Sequence, residues 1–152
     1  MTFQPVNKGQ ITQDHEFGRG IYDVALRNDV KNVVEVGAWN GQGTTLCVLN
    51  ALTLKGGGHL YSIEASPTQF KEASRFWSDK NVTSYLSLFN GVLHRKIASK
   101  ESINEFHNSG SRPQKYQDTL HKHHFIPETE FAKNSPTISV ESFSEVDFII
   151  LD

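Results

Sequence analysis

The chain is most tightly constrained between Val33 and Leu54, where a β-branched run passes through three glycines in seven residues, Gly37 to Gly43, into an apolar helix. Val33-Val34-Glu35-Val36 reads as a short strand, and its lack of a polar face suggests burial on both sides. Leu46, Leu49, Leu52 and Leu54 mark the helix, and Gly56-Gly57-Gly58 gives it a permissive stop. Glycines between a strand and a helix let the chain turn sharply. They also let a ligand approach the amides at the helix N-terminus, where the dipole favours a negative group.

Elements of the same two kinds alternate around this unit. After Asp14, which can cap a first turn, Phe17, Ile21 and Val24/Ala25 recur at helical spacing and predict a helix from about His15 to Asn28. Leu60 to Glu64 reads as a second strand. Ser66-Pro67 opens the next helix, whose inner face carries Phe70, Ala73 and Phe76/Trp77 and which runs to about Asp79. Val82 to Leu88 supplies a third strand and Val146 to Leu151 a strongly apolar fourth. Strands separated by helices imply right-handed βαβ crossovers. The expected fold is therefore α/β, a Rossmann-like parallel sheet of about four strands in the order 3-2-1-4 with helices on both faces. The 152 residues read as one domain with a long polar insertion over 92–136, between the third and fourth strands.

Composition narrows the partners. The hydrophobic fraction of 37% and charged fraction of 21% are those of an ordinary globular protein, and a formal charge of -2 gives no sign of a nucleic-acid or membrane partner. No apolar run approaches the roughly 20 residues of a spanning helix, and the N-terminus lacks the apolar core of a signal peptide, so the expected location is cytoplasmic. The single cysteine, Cys47, excludes an intrachain disulfide and a cysteine-based zinc site. It falls on the apolar helix, where a buried, inert thiol is expected. His121, His123 and His124 lack the i, i+4 pair that sets two imidazoles on one helix face, so a solvated polar helix is expected there and no metal.

The spacing Gly37-x-x-x-Gly41-x-Gly43 differs from the Gly-x-Gly-x-x-Gly of dinucleotide binding and lacks the Gly-Lys-[Ser/Thr] ending of a P-loop. Glu35 sharpens the choice, because a carboxylate beside the loop repels a pyrophosphate and attracts the ammonium of an amino-acid-like ligand. S-adenosylmethionine (SAM) brings both that ammonium and a sulfonium. Glu64, at the end of the second strand, can accept hydrogen bonds from both hydroxyls of a ribose.

Val33-Val34-Glu35-Val36-Gly37-x-x-x-Gly41 followed by Glu64 resembles motifs I and II of class I SAM-dependent methyltransferases, over roughly Val33 to Gly91. The run from Thr137 to Asp152 resembles the approach to the fourth strand in the FkbM-type branch, which generally methylates hydroxyl oxygens. The resemblance implies that Glu35 and the backbone of Gly37, Ala38, Trp39, Asn40 and Gly41, with Thr44, hold the methionine moiety. It further implies that Glu64 holds the ribose, that Ala65 and Ser66 lie on the adenosine side, and that Asn90 and Gly91 lie near the adenine. Asp152 would face the transferable methyl group as the candidate base. The implied acceptor is a hydroxyl of a small molecule or glycan. In the FkbM-type branch the position of Asp152 is followed by an acidic-glycine pair and several more strands. The resemblance thus implies a cofactor-binding half that stops before the domain is complete and has little transfer activity alone.

Two other readings compete. Glu64 alone would permit a nicotinamide-dependent oxidoreductase, which the glycine spacing and Glu35 oppose. A non-catalytic fragment or interaction module would keep the fold without the transfer. Trp39, inside the loop, suits either covering a ligand or capping the core. The fourth strand, at one edge of a 3-2-1-4 sheet, is expected to promote dimers or higher assemblies, since only Asp147 blunts it.

Overall fold

The computed structural model describes residues 2–6, 11–93, 133–143 and 145–151. Four parallel strands, β1 (Asn32–Val36), β2 (His59–Glu64), β3 (Leu86–Asn90) and β4 (Phe148–Leu151), form one sheet in the order β3-β2-β1-β4. Helix α1 (Glu16–Leu26) precedes β1, while α2 (Thr44–Lys55) and α3 (Pro67–Trp77) make the crossovers to β2 and β3. A single 3-10 turn, Val140–Ser142, precedes β4. Two crossovers step the sheet outward in one direction, and β4 returns to the other side of β1, giving the expected Rossmann-like arrangement. No helix among the described residues is long and apolar enough to cross a membrane.

Strand register sets the two faces. Val33 and Leu60 are partners, as are Glu35 and Ile150, so these four side chains share a face. Val33, Leu60 and Ile150 join one buried cluster with Ile21 and Ala25 of α1, Leu49 and Leu52 of α2 and Trp77 of α3. The three described helices are therefore gathered over this side, whereas the sequence reading expects helices on both faces. On the other face Phe143 lies against Tyr61 and Phe89, with ring centroids 5.1 and 5.9 Å apart. Helix α2 is buried from Thr44 through Leu52, which explains its lack of a polar stripe. Its end is set by Gly56, whose left-handed φ of 76° lets its amide reach the Leu52 carbonyl.

Several boundaries differ from the sequence expectation for local reasons. His15, not Asp14, caps α1, with Nδ1 accepting from the Phe17 amide at 3.2 Å. Phe17 is 56% exposed and Gly18 is buried in its place. The chain entering α1 crosses so close that a Cβ on Gly18 would lie 2.1 Å from the Thr12 carbonyl oxygen, so the inner face starts one residue later. The third strand begins at Leu86 rather than Val82, because Val82 accepts from the amides of Tyr85 and Leu86 in a turn. Val82 is nonetheless buried, and that apolar character imitates a strand start. Val146 and Asp147 likewise precede the fourth ladder. Asp147 instead clamps the start of β1, accepting from the amides of Lys31 and Asn32 at 2.7 and 2.9 Å. These two amides, Asn32 first, hold its carboxyl below the usual carboxylate range.

The bulk of the 92–136 insertion lies outside the described residues, including the helical patterns and histidines read there. At its base Val92 and Thr137 form an isolated parallel bridge.

Candidate functional site

The loop after β1 is shaped by its backbone. Gly37 turns with φ 101°, and its amide and that of Ala38 both reach the Ile63 carbonyl, at 2.9 and 3.1 Å. The loop thus leaves the ladder while still tied to β2. Trp39 is the one non-glycine among the described residues with positive φ, 47°, a conformation that costs on the order of 1 kcal/mol. Its amide donates to Glu64 Oε2 at 2.7 Å, and its side chain stays 44% exposed. At Gly41, with φ 72°, a Cβ would lie 2.7 Å from Trp77 Nε1, so glycine is required for both conformation and space.

Glu64 joins two elements. Its Oε1 accepts from the Ser66 amide at 2.7 Å while Oε2 holds Trp39, so one carboxylate links the glycine loop to the start of α3. Ser66 caps that helix, with Pro67 at its first position. Asn90 and Gly91 brace the same point from β3. Asn90 Nδ2 donates to the carbonyls of Glu64 and Ala65 at 2.8 and 3.3 Å, and the Gly91 amide donates to Glu64 at 3.0 Å. Ser135, beyond the insertion, adds a bond from Oγ to the Ala65 carbonyl at 2.8 Å.

Glu35 is fully buried under the first turn of α2. Thr44 donates its hydroxyl to Oε1, and Thr45 and Ser62 donate theirs to Oε2, Thr45 at 2.7 Å. Two hydroxyl donors from a helix N-terminus and one from β2 are the kind of surroundings that let a carboxylate be buried. Cys47, one turn along α2, feels the result: burial first, then the charge of Glu35, pushes its thiol up to about 11. It is a protonated core residue.

The structure brings Glu35, Gly37 to Gly41, Thr44, Glu64 to Ser66, Asn90 and Gly91 together at the carboxyl ends of β1, β2 and β3. Asp152 lies outside the described residues. Sequence reasoning misses Thr45 and Ser62, which hold Glu35, and Gln42, Asn50 and Trp77, which lie around the glycine loop and α2. Of these, Asn50 is the readable signal, a polar residue inside the apolar run Leu46 to Leu52 that requires a buried partner. No group of three or more His, Cys, Asp or Glu side chains suited to a metal occurs among the described residues. Away from the loop, a groove of about 800 Å³ runs between α1 and β4, bordered by Phe17, Ile21, Val24, Phe148 and Leu151.

No family model matches the chain, and no curated protein does. Solved structures that resemble it include an O-methyltransferase from Bacillus cereus in complex with SAH, at 19% identity and a TM-score of 0.45, covering 72% of this chain and 44% of that one. A Podospora anserina methyltransferase bound to SAH gives 14% identity and a TM-score of 0.44, covering 63% of this chain and 36% of that one. The O-methyltransferase TomG from Streptomyces achromogenes, in complex with SAM, gives 16% and 0.42, covering 64% of this chain and 40% of that one. This chain spans less than half the length of each of the three.

Proposed function

We propose that the chain binds SAM at the carboxyl ends of β1 and β2 and serves in the cytoplasm as the cofactor-binding part of an FkbM-like methyltransferase acting on a hydroxyl of a small molecule or glycan. The observation that carries this reading is Glu64, an acid at the end of β2 fixed by the amides of Trp39 and Ser66. A carboxylate held on two sides is presented rigidly, as hydrogen bonding to both hydroxyls of a ribose requires. The other residues fit such a ligand. The loop from Gly37 to Gly41 delivers backbone amides beside the start of α2, and the exposed Trp39 indole offers an aromatic surface to a cationic or flat group.

When bound, SAM supplies a methyl group on a positively charged sulfur that leaves readily. Glu64 and the loop fix the ligand, and Glu35, expected from the sequence to meet the ammonium, is buried and bonded by Thr44, Thr45 and Ser62, so in this reading it acts by holding the loop and α2 in register. Leu151 pairs with Val36, so β4 ends level with β1. Asp152 follows next in sequence and is the residue we nominate as base. It would accept the proton of an acceptor hydroxyl, while the methyl transfer itself is the chemistry that bound SAM would supply. Alignment of the acceptor does most of the work, since the leaving group needs little help.

Calorimetry with SAH and with NAD tests the reading. SAH is expected to bind, and Glu64→Ala to lose about 1.5–3 kcal/mol of that affinity, the range for hydrogen bonds to a charged group. Binding of NAD, with neither heat nor a melting shift from millimolar SAH, would overturn the proposal in favour of a nicotinamide enzyme.

A further inference from the structure

The glycine loop is held from its far side by a segment that the SAM reading does not use. Residues 2–6 run past α2 and α3, and the buried Asn50 clasps Phe3 by both backbone groups. Its Oδ1 accepts from the Phe3 amide at 2.7 Å, and its Nδ2 donates to the Phe3 carbonyl at 3.2 Å. A side-chain amide that captures both groups of one residue reproduces the pairing of a strand neighbour. Asn50 lies between Leu49 and Ala51, both fully buried, where a polar group without partners is costly. The Phe3 ring meets Trp77 edge-on, with centroids 5.3 Å apart and planes at 88°.

Both ends of this segment lead into the loop. Trp77 Nε1 donates to the Gly41 carbonyl at 3.0 Å. The Val6 amide donates to Gln42 Oε1 at 2.8 Å, and the Gln42 amide in turn donates to Asn40 Oδ1 at 3.1 Å. Gly41 and Gln42 are thus fastened by two routes, one through Phe3 and Trp77 and one through Val6.

We propose that Gln42, Asn50 and Trp77 are positioning residues that use the 2–6 segment as a strap, so that the shape of the glycine loop, and with it ligand affinity, is set from behind. The affinity half rests on the SAM reading, whereas the coupling of strap to loop does not. Coupling of this kind is reciprocal, so a ligand that fixes the loop also tightens the strap, by the same factor.

The experiment compares the whole chain with Val6→Pro, which deletes the amide donated to Gln42 at a residue whose side chain is exposed. Circular dichroism first confirms that the variant folds. Amide exchange at Gly41 and Gln42, without ligand, is expected to accelerate on the order of five- to tenfold, the worth of one neutral hydrogen bond. SAH affinity is expected to fall by a similar factor, and saturating SAH to slow exchange at Phe3 and Val6 in the wild type. Gln42→Leu, which removes the acceptor, should behave like Val6→Pro. Unchanged loop exchange in both Val6→Pro and Gln42→Leu overturns the strap. Faster loop exchange in a protein whose wild type binds no SAH supports the strap and overturns the SAM reading alone. Equal SAH affinity in wild type and Val6→Pro, despite faster loop exchange, overturns the claim that the strap sets affinity.

Discussion

β1 and β4 are hydrogen-bonded neighbours, yet β1 buries a carboxylate completely while β4 leaves Ile149 and Leu151 58% and 78% exposed. The difference shows what fixes each region's shape. Around Glu35 the hydroxyls of Thr44, Thr45 and Ser62 converge on two oxygens, and hydrogen bonds are directional, so one arrangement satisfies them together. Along the outer rim of β4 the apolar side chains impose no such geometry. Specificity of structure is concentrated at the loop end, and tolerance at the rim.

The contrast is broken most severely by Glu35→Ala, which removes the acceptor from three buried hydroxyls at once. With each stranded group costing about 1–3 kcal/mol, the expected loss of stability is at least about 3 kcal/mol, read as a lower urea midpoint with an unchanged slope. A loss below about 1 kcal/mol would mean that the network does not define the loop.

Asp147 lies between the two regimes, an exposed carboxylate at the foot of β4 that nevertheless holds two amides of β1. Its folded value lies below the ordinary 3.8, so its stabilisation is present above that value and is lost as pH falls through the lower folded one. The melting temperature of the wild type should therefore fall more steeply with pH below about pH 4. Asp147→Asn should be less stable at neutral pH and flatter on the acid side, and parallel acid limbs would remove Asp147 from the account.

The smallest effect on folding is expected at the rim, where Ile149→Lys should change stability by less than about 0.5 kcal/mol. Its effect should appear in association instead. Sedimentation at high micromolar concentration is expected to show wild-type assemblies that the lysine weakens, by charging an exposed apolar edge. A wild type that stays monomeric would show that this edge needs no cover.

Much of this fold is legible in the sequence because its signals are local. The β-branched run before Gly37, the Ser66-Pro67 cap and the glycines at 56–58 each fix a boundary with residues next to one another. Where boundaries slip, at Phe17 and at Val82, a contact from outside the element decides the matter, and periodicity carries no record of it. The site is legible to the same degree. Glu35 and Glu64 are recognisable as acids at strand ends, but nothing in their spacing says that one is enclosed by hydroxyls from α2 and β2 and the other grips two backbone amides. The clasp of Asn50 on Phe3 spans 47 residues and involves backbone groups that every residue carries, so only its polar half leaves a mark.

The sheet order also dictates a sequence of events during synthesis. β1, β2 and β3 are complete once residue 90 has emerged, whereas the bond that seats β4 joins residues 115 apart. At about 5–20 residues per second, the stretch from Asn90 to Phe148 takes roughly 3–12 s to appear. Throughout that interval the nascent sheet has an unpaired row of amides and carbonyls along the side of β1 that β4 will later cover. The strand exposed to wrong pairing on the ribosome is therefore β1, which carries the glycine loop, although in the finished fold it is an interior strand paired on both sides.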